Sequence, residues 1–261
     1  MLRPLYDQLI PYYELIEGRD WQREVRLIAS ILAKHQLSTV IDLGCGSGYH
    51  VRQLTKLGLD AIGIDISKQN IQFARAMAKQ QSVITRFIAG SYYRYRPRKR
   101  VDAALFLNWS IPTRDDELRR FLFNTRSILR IGGLLIVDFE RTSEIAWEDV
   151  GKPIVDSWKL KDLRIVRASV GQILSNVLYS RDVYILYPKR VHPIVPNEPA
   201  RYRAVQSQNL VKVYVDCSYV RFFSIPEIRR FANRSGFRLI ANYQLPRNGY
   251  KRNYAVLERI S

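Results

Sequence analysis

A chain of 261 residues, 47% hydrophobic and 25% charged, can bury one large α/β domain with an insertion or two small domains, and is too apolar to stay disordered. Its two cysteines, Cys45 and Cys217, exclude a disulfide framework or a four-thiolate zinc centre. Prolines and charges break up the first twenty residues, and no later stretch approaches the roughly 20 apolar residues of a membrane span, so the expectation is a cytoplasmic protein with no membrane span.

Trp21, Val25, Ile28 and Leu32 fall at helical spacing, which predicts an amphipathic helix over 20–36. "STVIDLGCGSG" follows, a short apolar strand running straight into glycines. The pattern then alternates: helix 49–57, strand 60–65, helix 67–80 capped by Ser67, strand 83–89, strand 101–107, helix 113–130 and the strand "GGLLIVDF". Alternation of this kind predicts a mostly parallel sheet with helices on both faces. After Glu140 the segments 162–187 and 209–223 are rich in Val, Ile, Tyr and Leu, and "YPKRVHPIVPNEP" lies between them. Antiparallel strands joined by a proline-bearing loop are predicted there. "SIPEIRRFANRSGF" carries a capping box, Ser224 to Glu227, opening a helix that closes at Gly236. "RLIANYQL" and "NYAVLERI" then read as a hairpin. The expected organisation is a helical cap (1–36), a cofactor-binding core (37–140), an inserted antiparallel β lid (141–223), and a closing helix with the last strands of the core (224–261).

The formal net charge is +18, and it is unevenly placed: residues 151–261 hold 20 basic and 7 acidic side chains. Such a field favours anionic partners, whether RNA, a phosphorylated or carboxylated metabolite or an acidic membrane surface; a solvated basic face without a ligand is the alternative. "SYYRYRPRKR" (91–100), with tyrosines interleaved among cations, has the composition of a nucleic-acid contact. Its position between two strands also makes it an exposed connection.

In "DLGCGSG" the strand ends at Leu43, and the glycines let the backbone turn and approach a ligand without Cβ interference. Ligands of open α/β sheets sit beyond the C-terminal strand ends, where this loop lies. Asp65 ends the next strand, 21 residues after Gly44, and a carboxylate there can accept both hydroxyl hydrogens of a ribose. A dinucleotide site wants G-x-G-x-x-G, whose third glycine would fall on Tyr49. G-x-G-x-G after Asp42 instead suits S-adenosylmethionine, which has no pyrophosphate.

"VIDLGCGSGYHVRQL", "AIGIDIS", "VDAALFLNWSI" and "SILRIGGLLIVDF", in this order, resemble the successive motifs of class I S-adenosylmethionine-dependent methyltransferases over residues 38–139. "RFFSIPEIRRFANRSGFRLI" is similar to the family's closing helix and strand. "LYDQL", Trp21 before "REVRLIASIL" and the β-rich insertion resemble the family's small-molecule members, which act on amino sugars, amines and other natural products. The resemblance implies a Rossmann-like sheet with an antiparallel last strand, and S-adenosylhomocysteine as product.

It further implies that Gly44, Cys45, Gly46 and Gly48 line the methionine moiety and that Asp42 holds its amino group. Asp65 would take the ribose hydroxyls, Ile66 would pack on adenine, and Ser91 and Tyr92 would border the base. Tyr6, Tyr13 and Trp21 on the cap would close over the cofactor. Asn108 and Trp109 would stand where methyl meets acceptor. Two departures stand out: Ser91 replaces the family's usual Asp, and no histidine follows the fourth strand near Pro112. Besides Tyr6 and Trp109, candidates for catalysis are His192, as a loop base, and Arg221, as a carboxylate or phosphate anchor or else an ordinary strand arginine.

The expected function is methyl transfer to an N or O atom of a small metabolite, anionic ones included, with no metal and with a homodimer allowed. The alternatives are an RNA methyltransferase, a non-catalytic cofactor-binding homologue and, against the glycine spacing, a nicotinamide oxidoreductase.

Overall fold

The computed structural model describes residues 4–18, 20–108, 112–145, 147–188, 211–247 and 250–261. By its packing the chain forms two units. One comprises Met1–Ile145, Ser175–Val177 and Val220–Ser261, and the other Ala146–Leu174 and Leu178–Tyr219.

The first unit opens with two short 3-10 turns and α1 (Tyr13–Ile16), then α2 (Trp21–Lys34), which the Asp20 side chain caps by accepting from the Arg23 amide. Next come β1 (Thr39–Leu43), α3 (Tyr49–Lys56), β2 (Asp60–Asp65), α4 (Lys68–Gln80), β3 (Arg86–Ala89), β4 (Val101–Phe106), α5 (Asp115–Ile128) and β5 (Leu129–Arg141). β6 (Ile154–Lys159), β7 (Leu163–Leu174), β8 (Val177–Pro188) and most of β9 (Lys212–Phe223) belong to the second unit. α6 (Ile225–Arg234), β10 (Phe237–Arg247) and β11 (Tyr250–Arg259) complete the first.

In the first unit β3, β2, β1, β4 and β5 lie side by side and parallel. β11 pairs antiparallel with β5, β10 pairs antiparallel with β11, and the end of β9 adds a parallel contact to β5 at Glu140 and Arg141. Successive strand residues point to opposite faces, so Ala103 and Leu105 meet Ile28, Leu32, Val51 and Ala74 on one side. Ala104 and Phe106 meet Phe121, Phe231 and Phe237 on the other. Both faces are thereby sealed, and the C-terminal strand ends with their loops remain to bind a ligand.

Several elements differ from their sequence-based bounds. β3 begins at Arg86, because Ser82 at φ +53° and the Val83 amide, donating to Ala78 O, use the preceding residues to leave α4. β5 begins at Leu129, so Gly132 and Gly133 lie inside the strand. A Cβ on Gly133 would come within 2.9 Å of the Arg130 and Asp102 carbonyl oxygens. β6 was not anticipated, since Asp156, Ser157 and Lys159 interrupt its apolar character. It pairs antiparallel with β7, from Ile154 opposite Ser169 to Lys159 opposite Arg164. The second unit carries its strands in the order β9, β8, β7, β6, with Ile165, Tyr184 and Leu186 buried. No helix among the described residues is long and apolar enough to cross a membrane.

Asp102 ties the starts of three strands together. It accepts from the Ser38 and Thr39 amides at 3.0 and 2.9 Å, from the Thr39 hydroxyl at 2.9 Å and from Arg130 Nε at 2.7 Å. Partial burial opposes its ionisation, but the Arg130 guanidinium and these hydrogen bonds hold its carboxyl well below the usual range. Asp102→Ala is expected to cost about 2–3 kcal/mol in urea unfolding at pH 7. With a depressed native pKa, that contribution is present above the unfolded value of about 4 and is lost as pH falls below it. The variant's deficit should therefore shrink in acid.

Candidate functional site

Past Leu43 the chain folds back over the end of β2: the Gly44 and Cys45 amides both donate to Ile64 O, at 2.8 and 2.9 Å. Gly48 caps α3 at φ +73°, and a Cβ there would meet the Phe87 ring at 2.6 Å and Ala74 at 2.8 Å. Its glycine is thus required by both dihedral and space. Over Gly44 and Gly46 an added Cβ would meet nothing within 4 Å. The loop presents bare backbone to open space there.

Cys45 is buried, and a Cβ on Gly63 would lie 2.7 Å from its sulfur. Burial, then the nearby Asp42 and Asp65 carboxylates, push its thiol well up, so it is a packing residue and not a ready thiolate.

Asp65 holds the loop from below. Its Oδ2 accepts from the Gly46 amide at 2.8 Å, and its Oδ1 accepts from the Ser67 amide at 2.8 Å and from Asn70 Nδ2 at 3.3 Å. Burial raises its pKa, and these three hydrogen bonds oppose the rise. A carboxylate has about four lone-pair sites, so capacity remains for a ligand hydroxyl. Asn70 Oδ1, also buried, has no hydrogen-bond partner among the described residues.

Asp42 is buried at 3% exposure, and its pKa is raised to about 6 by burial, with His50 opposing and Asp65, Glu24 and Asp138 adding to the rise. Beside it lies a buried polar group: His50 Nε2 is 3.0 Å from Glu24 Oε2, and the Tyr254 hydroxyl donates to Glu24 Oε1 at 2.7 Å.

The cap is fixed to the loop by residues that the sequence did not single out. Glu14 Oε1 accepts from the Ser47 hydroxyl at 2.7 Å and from Arg52 Nη2 at 3.2 Å, and Arg52 also donates to Ser47 O. Tyr6, Tyr13, Trp21 and Tyr49 form a chain of ring contacts, with centroids 5.7, 5.9 and 5.4 Å apart. Tyr13 and Trp21 are buried in this stack, and the Trp21 indole donates to Glu14 O at 2.9 Å. Tyr6, half-buried, is the outermost ring of the series.

Beyond β2 and β3 a groove of about 710 Å³ is lined by Ile64, Ile66, Ile88, Gly90, Ser91 and Tyr93, and by side chains of the connection and α5. Ile66 is 65% exposed there. The Ser91 hydroxyl accepts from the Tyr93 amide at 3.3 Å. Tyr92 lies within this turn. Its ring points into the core against Phe106 and Phe121, with centroids at 5.3 and 5.9 Å, and burial raises its phenol far above the usual range. Tyr93 lines the groove.

At the end of β4, Asn108 adopts φ +73°, and its amide donates to Asp138 Oδ2 at 2.9 Å. Asp138 pairs with Arg252 Nη1 at 3.0 Å, and Glu140 lies 3.9 Å from Arg252 Nε. Trp109 and His192 lie outside the described residues. Arg221 Nη1 contacts Asp115 at 2.6 Å and Thr113 O at 3.1 Å, Nη2 lies 3.7 Å from Glu227, and the guanidinium sits 4.7 Å from the Phe223 ring centroid. These contacts join β9 to α5 and α6 through Arg221, as the ordinary-strand-arginine reading expects.

The fold of the chain is matched by solved structures. An S-adenosylmethionine-dependent methyltransferase from Clostridium acetobutylicum superposes with a TM-score of 0.74 over 95% of each chain, at 12% identity. A sugar N-methyltransferase from Streptoalloteichus superposes with a TM-score of 0.72 over 98% of this chain and 94% of its own, at 16% identity. The fold is that of a class I methyltransferase. Residues 40–133 match the family model described as "Methyltransferase domain". A ubiquinone biosynthesis O-methyltransferase from Rhodopseudomonas palustris is 30% identical over 98 residues, 38% of either chain. The chain therefore matches well under half the length of that curated relative.

Proposed function

We propose that the chain transfers a methyl group from S-adenosylmethionine to an N or O atom of a small metabolite, anionic ones included. The observation that carries this reading is the open backbone cradle at Gly44 and Gly46, flanked by Asp42 and Asp65, on a methyltransferase fold. The residues fit the cofactor: Asp42 faces its ammonium, Asp65 and Asn70 offer acceptors to ribose hydroxyls, and Ile66 with Tyr93 gives the adenine an apolar groove. When bound, S-adenosylmethionine supplies a methyl carbon activated by a sulfonium. The chain contributes alignment and exclusion of water, which account for much of such a displacement. Asp138, by holding the Asn108 amide, fixes the turn beside which the acceptor would stand. Tyr6 is the cap hydroxyl nearest in kind to a proton acceptor or a sulfonium neighbour. No base is required for an acceptor that is already nucleophilic.

Incubation with tritiated-methyl S-adenosylmethionine and a panel of amino sugars, amines, phenols and carboxylated metabolites tests the reading. Transfer to at least one small acceptor is expected. Transfer to RNA with none to the panel would replace it by the RNA methyltransferase.

The raised pKa of Asp42 gives a pH dependence. Ionised Asp42 attracts the ammonium, so cofactor affinity should fall about tenfold from pH 7 to pH 5, as the carboxylate protonates through about 6. Asp42→Asn should flatten that profile in titrations across the range. The sign for folding is the reverse. A raised native pKa gives stability that is full below the unfolded value of about 4 and is lost as pH rises through 6, so a bound cation should stabilise the fold most at neutral pH.

A further inference from the structure

The connection from β3 to β4 lies lengthwise along α5. Arg120 of α5 sits 4.9 Å from the Tyr93 ring centroid. Arg96 Nη2 donates to Asn124 Oδ1 at 3.1 Å, a turn further along the helix. Arg100 and Arg126 are close enough to Arg259 that their charges, after burial, pull its pKa below the ordinary value. The two contacts, together with the shared influence of Arg100 and Arg126 on Arg259, set the basic connection Arg94–Arg100 beside α5. The strip runs from the groove at Tyr93 to the N-terminal ends of the parallel strands, leading away from the glycine loop. Arg94, Arg96, Arg98, Lys99 and Arg100 are exposed, and none of them has a carboxylate partner among the described residues. The acidic first turn of α5 lies at the helix's other end, and there Asp115 and Asp116 are paired with Arg221 and Arg114. A row of like charges that the protein leaves unneutralised is held at an energetic cost unless an anion lies on it.

We propose that this strip binds single-stranded nucleic acid, its guanidinium and ammonium groups tracking the phosphodiester backbone and the Tyr95 ring, at the strip's end of the groove, stacking on a base. Charge complementarity alone would also admit an acidic lipid surface. The half-buried Tyr95 between Arg94 and Arg96 favours bases, since an aromatic ring among cations stacks on any base without sequence readout. The inference does not rest on methyl transfer, because the strip leaves the cofactor loop behind.

Fluorescence anisotropy of the full chain with a labelled 20-nucleotide oligouridylate, from 50 to 300 mM NaCl, tests it. Affinity is expected to fall steeply with salt. Arg98→Glu/Lys99→Glu/Arg100→Glu should weaken binding at least tenfold and lower the salt slope by about 2, as loss of three phosphate contacts requires for a single strand. Binding of S-adenosylmethionine by the triple variant, followed by calorimetry, should match the parent and confirms its fold. No binding at 50 mM NaCl, salt-insensitive binding, or parental affinity in the triple variant would overturn the proposal. So would a duplex of equal length that competes as well as the single strand, or phosphatidylglycerol vesicles that capture the chain while the oligonucleotide does not.

Discussion

Asp65→Ala is expected to weaken S-adenosylmethionine binding by about 100-fold or more. The carboxylate has two roles in the proposed site, as acceptor for ribose hydroxyls and as the tether of the Gly46 amide at 2.8 Å, and hydrogen bonds to charged groups contribute about 1.5–3 kcal/mol each. Alanine removes both and strands the Gly46 and Ser67 amides, so a stability loss of about 1–3 kcal/mol should accompany it. Asp65→Asn is the milder change: its one oxygen can accept from either the Gly46 or the Ser67 amide, while the charge and the second acceptor are gone. Calorimetry should place asparagine between alanine and the parent in affinity, and denaturant unfolding should place it between them in stability. Parental affinity in the alanine variant would mean that the ligand does not reach the end of β2.

Arg252→Met should be the most damaging single change in the core of the first unit. Arg252 is buried between Asp138 and Glu140, with side chains 3%, 1% and 9% exposed. Removing the cation leaves two buried carboxylates facing each other without it, and breaking a buried pair in this way costs about 3–5 kcal/mol. Denaturant unfolding at pH 7 measures the cost. Asp138→Asn/Arg252→Met should lose less than the sum of the single variants, since each single change strands the charge that the other removes. Additive losses would mean that the pair is not coupled. Asp138 also holds the Asn108 amide, so the single variants should loosen the turn at the end of β4.

How much of this the sequence discloses depends on how local each feature is. Gly44 to Gly48 and Asp65 were legible because the turn, the strand ends and the spacing between them are set by neighbouring residues. The capping box at Ser224 and Glu227 is equally local and is formed as its residues predict. The latch of Glu14 on Ser47 and Arg52 was not legible: its members are 33 and 38 residues apart, and Glu14 reads as any surface glutamate of a short helix. Arg252 was hidden for a like reason, because only the antiparallel register of β11 on β5 brings it to Asp138 and Glu140. The groove contact of Tyr93 was not legible either: the Ser91 turn, closed by the Tyr93 and Arg94 amides, sets Tyr93 along the groove and the Tyr92 ring against Phe106 and Phe121, and composition cannot make that choice. β6 was lost to its polar residues, which a strand exposed along much of its length tolerates.

The central claim is that the glycine loop and the two acids flanking it hold S-adenosylmethionine. Isothermal titration calorimetry of the full chain with S-adenosylmethionine, S-adenosylhomocysteine and NADH tests it most directly. Saturable binding of the first two, weakened by Asp65→Ala, and no heat from NADH is the predicted result; saturable binding of NADH with no response to either sulfur compound would contradict it.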